Sequence, residues 1–162
     1  MLYQTMCQKI AFFLVAALWV LHAQAAPTAS AKKGESVKVF LEQFKVSTAS
    51  DGKEVLTAAT VAKPGDIIEY RASYKNVSAK PVTDLVATLP VPKNTEYQAN
   101  SAMPSAGAEA SIDNLTFAAV PLMSADKKMI ATKSYKALRW KVTSLKANDA
   151  VVVAIRVKVS QE

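Results

Sequence analysis

One cysteine and one histidine occur in 162 residues, Cys7 and His22, and both precede residue 25. Beyond Ala25 the chain therefore offers no disulfide, thiol nucleophile, Cys/His zinc site or His-based triad, and no His or Cys ligand for haem. It also lacks a Gly-rich phosphate loop and a Ser-Lys nucleophile arrangement. The fold has to stand on its own core, no cofactor or metal is expected, and an enzyme is the class least favoured. Acidic residues are the minority, 13 Asp and Glu against 20 Lys and Arg for a net charge of +7. That excess aids solubility and favours anionic surfaces. It is spread along the chain without the clustered cations and interleaved aromatics of a nucleic-acid reader, so no nucleic acid is expected as a partner.

The one long apolar run, Ile10 to Leu21, follows the single charge Lys9 and ends in His22-Ala23-Gln24-Ala25-Ala26. A run of about a dozen residues is short of the ~20 that a helix needs to span a bilayer, and the order is that of a signal peptide cut after Ala25. Cys7 precedes the run, which argues against a lipoprotein. The expected organisation is a signal peptide at 1–25, a small, polar, flexible leader at 26–35, and one domain at 36–162. The protein would be exported to the periplasm or cell surface, with no transmembrane segment after cleavage.

From Ser36 onward the dominant period is two, the mark of half-buried strands. Ile68, Tyr70, Ala72 and Tyr74 alternate with Glu69, Arg71, Ser73 and Lys75. Leu138, Trp140 and Val142 alternate with Arg139, Lys141 and Thr143, and Val151 to Val159 repeats the pattern on odd positions. The last two segments are expected to form a hairpin turning near Lys146 to Asn148, with Trp140 opposite Val153 or Ile155. In the first strand Val37, Val39 and Leu41 share one parity while Phe44 and Val46 take the other, which predicts a β-bulge at Glu42-Gln43. Further strands are expected at 54–61, 82–89, 95–99 and 112–119, punctuated by Asp51-Gly52, Pro64-Gly65-Asp66, Asn76 to Pro81 and Pro90 to Asn94. About seven to eight short strands at such spacing predict an all-β antiparallel sandwich.

Pro64-Gly65-Asp66, Tyr70, the turn residue Asn76, Leu89-Pro90, Tyr97 and the closing Trp140, Leu145 and Val151 to Val159 stand in an order that resembles a known family. It is the immunoglobulin-like conserved repeat of bacterial surface and secreted proteins, number eleven among the domains of unknown function. The likeness covers roughly Val61 to Val159 and lapses between Ser101 and Tyr135. The resemblance implies an immunoglobulin-like sandwich and non-enzymatic, extracytoplasmic work, often structural or adhesive, without implying a ligand. Ala87 stands where the family usually carries an aspartate.

Most candidate chemistry has a simpler reading. Asp66, Glu69, Asp84 and Glu96 are expected as solvated turn or outward residues, although two acids converging in a cleft would mark a hydrolase. Asp113-Asn114 and Asn148-Asp149 read as turns before calcium ligands. Asn76-Val77-Ser78 and Asn114-Leu115-Thr116 are sequons that matter only where glycosylation occurs. Trp140 reads as core, and Met103 and Met123 as either gap-fillers or a binding surface. The feature most suggestive of a partner is a basic strip of Arg139, Lys141, Arg156 and Lys158 on the outer face of the expected final hairpin. It would dock on an envelope protein or an anionic surface glycan or lipid. The leading expectation is a non-catalytic binding or scaffolding module that oligomerises or docks to a larger assembly. The alternative is an adaptor or chaperone taking a client strand by β-augmentation. An unpaired apolar edge would favour the adaptor; a charged or bulged edge, the scaffold.

Overall fold

A computed structural model describes residues 36–161; the signal-peptide and leader readings, which fall on 1–35, lie outside the described residues, as does Glu162. The alternating segments form nine strands among the described residues. They are β1 (Val37–Thr48), β2 (Glu54–Ala58), β3 (Ile67–Asn76), β4 (Val82–Pro90), β5 (Thr95–Tyr97), β6 (Ala108–Ser111), β7 (Ala118–Ala119), β8 (Ala137–Leu145) and β9 (Ala150–Val159). The larger sheet runs β2-β1-β3-β9-β5 and the smaller β4-β8-β6-β7. All pairings are antiparallel, and the two sheets pack as a sandwich. Where one strand was expected across 112–119, β6 and β7 flank a turn. The Asp113 carboxylate causes it by accepting the Ser111 hydroxyl and the N–H groups of Leu115 and Thr116, each at 2.8 Å.

The core lies between β3 and β9 on one side and β4 and β8 on the other. Ile68, Ala72 and Tyr74 from β3 and Val153, Ile155 and Val157 from β9 meet Ala87, Leu89, Leu138 and Trp140. Trp140 is 3% exposed and lies between Ala87 of β4 and Ala108 of β6 in the ladder. Two small neighbours leave room for an indole. Ala87 is fully buried beside it, so the aspartate usual in the resembled family would here be an unpaired charge against an apolar ring.

Two expectations about strand neighbours are corrected. β8 and β9 are not a hairpin: they belong to different sheets, and Trp140 faces neither Val153 nor Ile155 in a ladder. Parity told correctly which side chains point inward. It is blind to whether the facing strand lies beside or across. Nor is there a bulge in β1, which pairs residue for residue with β3 from Val37↔Asn76 to Val46↔Ile67. The parity change records two apolar faces instead. Val37, Val39 and Leu41 lie on the core-facing side, while Phe44 packs on the outer side beneath the Arg71 guanidinium, 5.1 Å from its ring centre.

The passage from β8 to β9 rests on Asn76, which is completely buried. Its side-chain amide donates to the carbonyls of Leu145 and Lys146 at 3.0 Å and of Lys80 at 2.8 Å, while its Oδ1 accepts from the Ser78 amide and hydroxyl. Its main chain bonds Asp149 and Asn148. Asn76 is thus not the left-handed turn residue expected. It carries no positive φ, unlike Asn94, Asn100, Asn114 and Asn148. Within the folded domain the sequon at Asn76 is a buried hydrogen-bond hub. Replacing Asn76 by Ala takes the donor from three carbonyls, that of Leu145 buried, and should lower unfolding free energy by about 3 kcal/mol. Asn76→Asp should cost at least as much, because a carboxylate would then face carbonyl oxygens. Denaturant melts of the two variants against Ser78→Ala, expected to lose about 1 kcal/mol, check this.

Candidate functional site

The four cations expected on one strip are divided between the two outer faces of the sandwich, because β8 and β9 lie in different sheets. Arg139 and Lys141 both bind Glu109, at 2.7 and 2.8 Å, and the Arg139 guanidinium also caps the Phe117 ring at 4.1 Å. Arg156 reaches Glu69 at 3.1 Å and holds Glu54 through two bonds of 2.8 and 2.9 Å. Lys158 is exposed on the same face as Arg156. Three of the four charges are therefore compensated locally, and no continuous basic strip forms.

The acids are bound as individuals. Asp66 pairs with Lys45 at 2.8 Å and accepts the Lys63 amide at 2.9 Å, closing the Pro64-Gly65 turn in which Gly65 has φ +89°. Glu69 is 1% exposed, not solvated as its outward parity implied. Arg71 and Arg156 cover it, and Arg71 in turn lies on Phe44. Asp84 is on β4 in the other sheet, and Glu96 on β5 accepts the Thr132 hydroxyl at 2.9 Å. Among the described residues no three His, Cys, Asp or Glu side chains are grouped as metal ligands. A cavity of about 360 Å³ beside β5 is lined by Tyr97, Ala102, Val120, Pro121, Met129 and Tyr135. Its two aromatic rings stack on each other, centres 5.5 Å apart. Their hydroxyls are taken by the amides of Ala102 and Leu122. Met103, half-exposed, exchanges two 2.8 Å main-chain bonds with Ala154 and covers that part of β9, while Met123 bridges Met129 in the loop beside the cavity.

The exposed feature that stands out is an edge. β2 covers β1 only from Phe44 to Thr48, and the last bond beyond that runs from the Ala59 amide to the Gln43 carbonyl at 2.9 Å. Along Val37 to Glu42, no strand among the described residues pairs with that side of β1. Since alternate residues of a strand direct their amides to the same side, those of Val39 and Leu41 face outward like the Gln43 carbonyl. Val39, Phe40 and Leu41 are 55%, 55% and 57% exposed. Val61, Leu115 and Met129 are more exposed still, yet they lie in loops, Met129 bridged to Met123, and not along an open strand. The smaller sheet packs over β3 and β9; on the inner face of β1 Val37 still packs against the core, while Val39 and Leu41 are left exposed. β2, which continues the step, is open on its outer side and presents Val55 and Leu56.

The edges at β4, β5 and β7 are short or interrupted. β4 is one of the two edge strands of the smaller sheet, and it begins after Pro81, ends at Pro90 and is kinked at Asp84, where φ is 54°. Both backbone groups of its Thr88 are taken by the Tyr74 hydroxyl, at 2.9 and 3.0 Å. Such kinks, prolines and caps are the means by which sheets avoid unwanted pairing. β5 and β7 are three and two residues long. The open half of β1 has none of these devices. Composition and parity missed it, although the three adjacent apolar residues Val39-Phe40-Leu41 were its signal: a strand covered on one face has no use for all of them.

Several carboxyls are held below their ordinary range: Asp113 to about 2 by the amides of Leu115 and Thr116, Asp66 by Lys45, Glu109 by Lys141 and Arg139, and Glu54 by Arg156. Depressed carboxyls stabilise the fold fully above their unfolded values near ~4, and that contribution is lost as pH falls through the folded values. The thermal midpoint should therefore be flat from about pH 7 to 5 and decline from about 4 toward 2. In about 1 M salt the ion-pair share of the decline should shrink, whereas the share lost in Asp113→Asn, which rests on amides, should persist.

Compared with known proteins, the chain is matched by no family model, and no curated protein and no solved structure is significantly similar to it.

Proposed function

We propose that the domain is a non-catalytic, extracytoplasmic binding module that receives an extended segment along the open half of β1. The observation that carries this reading is the unbulged stretch Val37 to Glu42, whose outward side no described strand occupies and whose three central side chains are more than half exposed. A strand added there completes main-chain hydrogen bonds and shields Val39 and Leu41 on one face and Phe40 on the other. Since these side chains are only about half exposed, covering part of that surface contributes up to roughly 1 kcal/mol apiece, which adds to the main-chain bonds. The extracytoplasmic address draws on the signal-peptide pattern of residues 1–25 and on the resemblance to the immunoglobulin-like repeat of bacterial surface proteins. Docking through a basic strip is not favoured, because Arg139, Lys141 and Arg156 are already engaged on separate faces.

Proline at position 39 tests the reading with little harm to the fold. The Val39 amide points to the open side, so its loss removes no internal bond, while a proline there blocks strand addition. Extended apolar peptides of varied sequence should slow hydrogen exchange at the Val39 and Leu41 amides of the wild-type protein. Val39→Pro should weaken that binding by about tenfold or more while shifting stability by no more than about 1 kcal/mol. Peptides that bind both proteins equally, or leave those two amides unprotected, would overturn the reading.

A further inference from the structure

Resting on that reading of β1, we propose that the strand it receives is β1 of a second copy, so that the protein forms a two-fold dimer through Lys38-Val39-Phe40-Leu41-Glu42. The segment is complementary to itself when run antiparallel. With Phe40 opposite Phe40 of the second copy, Lys38 falls opposite Glu42 and Glu42 opposite Lys38, while Val39 pairs with Leu41 twice. The backbone agrees with this register. The amides and carbonyls of Val39 and Leu41 face the open side, so each Val39–Leu41 pair is a hydrogen-bonded one, and Phe40–Phe40 is the closer pair between them. Inward and outward parity are also kept: Val39 and Leu41 stay on the core-facing side, and Lys38, Phe40 and Glu42 on the outer side. A shift of two residues either way sets Phe40 against a charge and leaves the other charges unmatched. The bond from Ala59 to Gln43 closes one end of the window, so the pairing has a defined length.

Among the described residues Lys38 has no counter-charge across the ladder, and Glu42 faces only Arg71, which is itself bound to Glu69. Neither Lys38 nor Glu42 forms an ion pair among the described residues. Lys38 lies directly opposite Lys75 of β3, and like charges so placed destabilise a sheet. A carboxylate arriving from the second copy would offset that repulsion. The same pairing would join the two larger sheets edge to edge and gather Val39 and Leu41 of both copies on the part of the inner face that the smaller sheet leaves bare.

Charge exchange provides the test, read by sedimentation or light scattering over a range of concentrations on the protein as its host produces it. Wild type should form a dimer. Lys38→Glu and Glu42→Lys should each raise the dissociation constant by about tenfold or more, since each sets two like-charged pairs across the interface. An equimolar mixture of the two single variants should associate again, as should the K38E/E42K double variant. Circular dichroism verifies that each variant is folded, and the mixture keeps the test decisive if the double variant is not. A monomeric wild type, single variants that dimerise like wild type, or folded single variants that do not recombine would each overturn self-pairing. Protection of the Val39 and Leu41 amides in a monomer without added peptide would overturn it too, placing a segment of the chain's own first 35 residues on the edge. A monomer whose amides are protected only by unrelated peptides would sink the dimer while leaving the strand-receiving reading intact.

Discussion

Between Leu145 and Ala150 the chain leaves one sheet and enters the other, and a single buried amide, that of Asn76, holds the passage in place. Chain direction alone would permit β9 to fold back beside β8. Instead the carbonyls at the end of β8 are bound by a side chain from β3, and the main chain of Asn76 is bonded to Asn148 and Asp149. β9 therefore begins alongside β3. The larger sheet gains a strand, the smaller one does not, and the two no longer match in width.

Placing β9 in the larger sheet has two consequences. It separates Arg139 and Lys141 from Arg156 and Lys158, so each pair of cations meets the acids of its own face: Glu109 on one, and on the other Glu69 and Glu54, which take Arg156. It also pushes the middle of β1 beyond the reach of the smaller sheet. Val39 and Leu41, whose parity suits a core, end up facing solvent. β4 is by contrast kinked, flanked by prolines and capped by Tyr74. One edge is thus closed, while another is straight, carries three adjacent apolar residues and is unpaired among the described residues; the proposed strand-receiving role rests on that contrast.

With no covalent or metal link in the described residues, aromatic side chains fasten the irregular parts. Tyr74, Tyr97, Tyr135 and Trp140 each bury a ring in the core, and each uses its polar atom on a main-chain group: Thr88, the Ala102 amide, the Leu122 amide and the Pro104 carbonyl. Three of these four reach into the stretch from Ser101 to Tyr135, where strands are short. The rings contribute apolar area while the hydroxyls and indole satisfy loop groups that would otherwise be buried unpaired. No buried side-chain polar atom among the described residues lacks a partner.

Much was legible from residue order alone: the all-β class, most strand positions, the turn at Pro64-Gly65-Asp66, and the inward side chains Ile68, Ala72, Tyr74, Trp140, Val153, Ile155 and Val157. These follow from the two-residue period and from local turn chemistry, which act over a few positions along the chain. What tertiary structure decided is which strands are neighbours, and with it every statement about sites. Alternation records whether a side chain points in or out, but says nothing of what lies beyond the next strand. A basic strip was thus expected where two sheets diverge, and a bulge where β1 is straight with apolar groups on both faces. The open edge at Val39-Phe40-Leu41 arises from unequal sheet widths, a long-range property set where Asn76 meets Leu145 and Lys146, 69 and 70 residues away.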